Sequence, residues 1–365
     1  MRMLCGTILA AAMVCAAACV SAGGGGDWTH AVDEFPARAG EVDDTARLQR
    51  AIDSTPEGVL YVPEGTYSVS KTLKLNMCSL RMHKNALIRA VSEMPFVLLV
   101  QPWYKNGAKP AHDRGPDFNL FICGGRIDGN GLASCVSLDG FVHYTVRDMT
   151  FLNGKQYGLR VSPTGGVELN ANNLYFRCTK RGLAGNTAVY TTGGDSHYTD
   201  CWAVDYTVGF HIGKGGSNRL TRCHVWGGCI PPIALGRPPE MLEKSVNFWV
   251  DGAGSTILRD CYADTGMIGF AIHGWDTRLL GCTYFSNPSC KLDGVTAIKH
   301  TFGRLLVSEC EIVKNCKDFK VYNGIGTVEW SNMIYAGFAV GDDCPGGLKF
   351  NRTSATDEKV LKLAD

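Results

Sequence analysis

The chain has 365 residues, of which 45% are hydrophobic, and 36 Lys and Arg stand against 35 Asp and Glu. So even a charge balance creates no field for nucleic acid or an anionic membrane surface. The composition is that of a folded globular chain, neither disordered nor membrane-spanning.

Residues 1–22 combine Arg2, an apolar stretch from Leu4 to Val20, and the small residues Val20, Ser21 and Ala22. This is the pattern of a secretory signal peptide cleaved after Ala22, which implies a secreted or periplasmic protein. The stretch is too short to span a bilayer. Cys15 and Cys19 leave a lipoprotein alternative open. Cleavage would remove one arginine and three of the 16 cysteines, leaving 35 basic and 35 acidic residues and 13 cysteines. An odd number cannot all pair within the chain, so most are expected as packed thiols, with Cys290 and Cys316 a candidate disulfide.

After a lead at 23–42, Asp43-Asp44-Thr45 reads as a helix start, with Leu48, Ala51 and Ile52 on one apolar side and the helix ending near 54. Val62-Pro63-Glu64-Gly65-Thr66-Tyr67 then reads as a turn. Eight later segments stack in register and place Asp148, Asn173, Cys201, Cys223, Cys261, Cys282, Cys310 and Asn332 in one column. Their steps are 25, 28, 22, 38, 21, 28 and 22 residues. A repeat of this length in short β-branched and aromatic runs signals a solenoid, whose units bury their apolar faces only by stacking. The column is expected inside the turns, where small side chains fill space. No CxxC pair points to metal.

A second run follows each ladder residue. Its alternation puts Phe210 and Ile212, Phe248 and Val250, Phe270 and Ile272, and Phe319 and Val321 inward. The reading is an all-β, right-handed parallel β-helix over 43–345, of about ten or eleven coils and ~50 Å at ~4.8 Å per coil, with a tail at 346–365. Two segments leave the pattern, 101–118 and 230–244, and read as loops on a rigid scaffold.

The stretch DDTARLQRAIDSTPEGVLYVPEGTYSVSKTLKL at 43–75, with GGRIDGNG at 124–131, resembles the pectate lyase superfamily. That group includes polygalacturonases, rhamnogalacturonases, epimerase-like proteins and phage tailspikes. The resemblance implies that the helix plugs the open end of the solenoid. It does not specify an activity, because the fold hosts lyases, hydrolases and binding proteins.

Function must therefore come from the outward strand face. Successive coils are expected to present Asp251, His273, Lys299 and Tyr322 in a line, as candidate catalytic residues. Trp249, His211, Tyr190, Arg160, Lys320 and Trp275 lie nearby as candidate substrate-binding residues, because aromatic rings exposed on a flat sheet suit stacking by sugar rings. The paired aspartates and Gly-His-Gly of polygalacturonase-like hydrolases are absent. A lyase must neutralise a uronate carboxylate and abstract the neighbouring proton, and Lys299 between His273 and Tyr322 fits that demand. The expectation is a secreted protein cleaving polysaccharide, lyase first. The alternatives are a hydrolase pairing Asp251 with Asp205, Asp264 or Asp276, and a non-catalytic glycan-binding protein. No calcium motif occurs and calcium stays an open cofactor. The polymer and the oligomeric state are not specified by the sequence.

Overall fold

The computed structural model describes residues 28–101, 120–140, 142–162, 167–180, 183, 185–227, 244–252, 254–286, 294–313, 319–325, 327–331, 333–336, 349–350 and 353–355. The segment expected as a signal peptide, most of the segments 101–118 and 230–244, Cys290, Cys316 and Asn332 lie outside these residues.

Each coil runs through three short strands, as in Val208–Ile212, Asn218–Thr221 and His224–Trp226. Each strand pairs in parallel with its counterparts one coil before and one coil after, so that Phe210 sits between Val189 and Phe248. The result is three parallel sheets wound into one β-helix. The first sheet stacks ten described strands, from Leu73–Asn76 to Lys320–Gly324.

Period-two alternation buries one face of each strand. Phe210, Phe248 and Phe270 are buried and stack face to face, with ring centroids 5.5 and 5.3 Å apart. The open N-terminal end is covered by the helix Thr45–Asp53, whose Leu48, Ala51 and Ile52 are buried. Covering that end removes a strand edge that would otherwise invite pairing. The helix start differs in detail from a side-chain cap. Asp43 accepts the Thr45 N–H, while Asp44 accepts the Ser68 N–H at 2.9 Å and ties the helix to the strand Thr66–Val69.

The ladder column is displaced by one residue in its first two coils. Met149 pairs with Leu174, and Tyr175 with Trp202, which puts Leu174 below Cys201. Asp148 and Asn173 instead join Asp200, Arg222, Asp260, Gly281 and Glu309, all with φ between 50° and 63°. These residues form the single-residue bend between the second and third sheets. Asn and Asp tolerate that left-handed conformation better than most L-residues. The five cysteines form the adjacent, inward column, and all are buried and free. The thiol of each donates to a carbonyl of the coil before, as from Cys223 to Tyr198 at 3.4 Å and from Cys282 to Leu258 at 3.3 Å. Burial pushes the Cys201 and Cys261 thiols well above the ordinary value.

Candidate functional site

The outward face of the first sheet carries one column of opposed residues. Arg160 faces Tyr190, Tyr190 faces His211, His211 faces Trp249, Trp249 faces Ala271, Ala271 faces Lys299, and Lys299 faces Asn323. The rings pack on one another: Tyr190 meets His211 edge-on at 5.0 Å, and His211 lies flat on Trp249 at 4.1 Å. The stack stops at Ala271, whose methyl leaves open the space between Trp249 and Lys299.

That gap is a cavity of about 410 Å³. Trp249 and Lys299 stand at its ends, Val246 and Ile268 on one side, and Asp251 and His273 on the other. Asp251 and His273 are opposed across neighbouring coils. His211 Nε2 lies 3.7 Å from Asp251 Oδ2, beyond hydrogen-bonding distance. Burial is the largest influence on His211 and lowers its pKa despite the neighbouring carboxylate, so its ring is neutral near pH 7. His273 is exposed, and its Nδ1 sits 3.0 Å from the Thr301 hydroxyl. The Thr301 hydroxyl is also 3.4 Å from the Ile272 carbonyl, to which it donates. With that hydrogen on the Ile272 carbonyl, the Thr301 oxygen can accept from His273 Nδ1–H, the tautomer that leaves the Nε2 lone pair free.

Four of the ten expected site residues, Trp249, Asp251, His273 and Lys299, line this one cavity. His211 and Tyr190 continue the same column on the two preceding coils. Arg160 lies one coil further still, 3.6 Å from Asp139 and over the ring of Phe96. Lys320 is exposed but faces Thr296, on the neighbouring column. Trp275 is 67% exposed at the bend after His273, packed edge-on against Phe302 at 4.9 Å, and does not line the cavity.

Tyr322 is a correction. It opposes Ile298 and points inward, 3% exposed, with its hydroxyl 3.0 Å from Nδ1 of buried His300. The last coil is therefore one residue out of the expected phase, and Phe319 and Val321 are only half-buried. The aromatic ring of Tyr322 fills the core above Ile298, leaving Asn323 outside, opposite Lys299. Lys299 itself faces Ala271, while His273 faces Phe302 across a register shift. The contribution of Thr301 was not anticipated. Its one advance signal is Gly303 within a strand run, since an interior glycine often marks a bulge. Among the described residues, no group of three or more His, Cys, Asp or Glu is arranged to hold a metal ion.

A family model described as "Right handed beta helix region" matches residues 134–337, more than half of the chain. The protein belongs to that family, and the winding is right-handed. No curated protein sequence matches the chain. Among solved structures it is similar to the N-terminal fragment of bacteriophage Phi29 gene product 12, with 14% identity and a TM-score of 0.60 over 89% of this chain and 66% of that one. It is also similar to ORF18 of Geobacillus virus E2, with 16% identity and a TM-score of 0.58 over 83% and 61%. A third is a tailspike protein of E. coli bacteriophage HK620 in complex with a pentasaccharide, with 12% identity and a TM-score of 0.55 over 84% and 66%. The chain thus spans less than two thirds of the length of each. Likeness at this identity establishes the fold. No described helix is long and apolar enough to cross a membrane.

Proposed function

We propose that the protein is an exported polysaccharide lyase that acts on a uronate-containing polymer in the first-sheet cavity. The observation that carries this reading is the placement of an imidazole and an ammonium, His273 and Lys299, on neighbouring coils of one cavity. Among its described lining residues the only carboxylate is Asp251. Elimination beside a uronate requires its negative charge to be offset, so that the adjacent C–H can be deprotonated, and a base to take that proton. Lys299 offsets the charge and His273 Nε2 takes the C5 proton. The C–H electron pair becomes the C4–C5 double bond while the C4–O bond to the leaving sugar breaks. The departing oxygen is protonated from solvent. Trp249 offers its face to a sugar ring, and Asp251 accepts from hydroxyls.

A hydrolase needs two carboxyl groups flanking the scissile bond, ~5–10 Å apart. Asp205 is buried, Asp264 belongs to a third-sheet strand, and Asp276 follows the bend toward the second sheet. None lines the cavity with Asp251. The tailspike relative bound to a pentasaccharide supports a saccharide ligand on this fold.

Incubation with a panel of acidic and neutral polysaccharides tests the reading. Ultraviolet-absorbing unsaturated ends on a uronate polymer are expected. New reducing ends without absorbance would make the protein a hydrolase, and retention of uncut polymer would make it a binding protein.

A further inference from the structure

Thr301 interrupts the ladder of the first sheet. Ile272 opposes His300 and His273 opposes Phe302, so Thr301 has no partner on the preceding coil. This is a β-bulge, a device that re-aims a side chain. Two features hold it. Gly303 has φ +85°, and a Cβ there would fall 1.8 Å from the Gly274 carbonyl oxygen, so the two coils approach closely only with glycine at that point. Inside the coil, fully buried His300 has Nδ1 3.0 Å from the Tyr322 hydroxyl and Nε2 2.9 Å from the Phe302 carbonyl.

The roles in this chain of contacts follow from chemistry. A carbonyl only accepts, so His300 Nε2 carries a hydrogen. Burial lowers the His300 pKa and keeps the ring neutral, so Nδ1 accepts from the Tyr322 O–H. The Phe302 carbonyl is thereby fixed from within. Thr301, one residue before it, presents its hydroxyl on the outside to His273 Nδ1 at 3.0 Å.

We infer that Tyr322 and His300 are positioning residues for the proposed site. By anchoring Phe302 they hold Thr301 in the bulge, and Thr301 holds His273 in the Nδ1–H tautomer with the Nε2 lone pair available to substrate. The tautomer of an imidazole is set by the partner of its other nitrogen, and at metal-bound imidazoles the loss of such a partner costs about 10- to 100-fold in activity. This inference rests on the reading of His273 as the base, yet its central statement concerns a tautomer and can be read without turnover.

Nitrogen NMR of the full chain, with labelled histidine and the imidazoles neutral, provides the test. In the wild type His273 should show Nδ1–H and His300 the opposite Nε2–H form. Tyr322→Phe keeps the ring and removes only the hydroxyl. It should mix the His273 tautomers and lower kcat about tenfold or more with KM little changed. Thr301→Val should do the same, and Thr301→Ser should restore both. A wild-type His273 in the Nε2–H form, or a Tyr322→Phe variant with tautomer and kcat unchanged, would overturn the inference. If Tyr322→Phe fails to fold, the wild-type tautomers and the Thr301 pair decide. If the tautomers behave as stated but no uronate polymer yields unsaturated ends, the positioning stands and the lyase reading falls.

Discussion

Lys299 and His273 are both exposed, so chemistry and folding can be separated at each of them. Lys299→Ala and His273→Ala should each lower turnover ~100-fold or more while stability stays within about 0.5 kcal/mol, because outward side chains contribute little packing. Lys320→Ala, one column away, should be mild. Steady-state rates and melting curves of the three variants check this. The buried imidazoles behave differently. Burial depresses the pKa of both His211 and His300 below the ordinary value of 6.5. Below that value the unfolded chain takes up protons that the folded chain resists. Their stabilising contribution is therefore present above pH 6.5 and is lost as pH falls toward the depressed folded values. Melting temperature should fall between pH 7 and pH 5, and His300→Gln should shallow that slope.

The capping helix is the element on which the N-terminal end depends. Leu48 is 1% exposed over the first coil. Leu48→Asp would bury an unpaired charge and should cost about 3 kcal/mol or more. Normal yield and melting of that variant would mean the helix is dispensable. This helix and the Phe210–Phe248–Phe270 stack were legible in the sequence, because apolar spacing and alternation carry strong, unambiguous phase there. Two other features were not. The αL bend and the cysteine column are adjacent positions that both accept small residues, so Asp148 and Asn173 aligned with Cys201 by composition although they occupy the bend. In the last coil Phe319, Val321 and Tyr322 offer apolar or aromatic groups at both parities, and alternation alone cannot choose the face. The actual phase depends on Tyr322 reaching His300, a contact 22 residues distant in sequence. The site was legible as far as Trp249, Asp251, His273 and Lys299. The Thr301 bulge was hidden because it arises from coil-to-coil register.

At the scale of the whole molecule, a β-helix supplies a rigid face on which each coil contributes outward side chains at ~4.8 Å steps. The cavity exists because one coil of the aromatic column carries Ala271 in place of a ring. On the proposed reading, bonds in a uronate polymer break there by elimination, without water entering the product. Cleavage in water enriched in oxygen-18, followed by mass spectrometry of the oligosaccharides, measures this directly. Elimination predicts products with no added oxygen-18 at either new end and one double bond per cleavage, carried by the new non-reducing end. Incorporation of one oxygen-18 per cleavage would contradict it and make the protein a hydrolase.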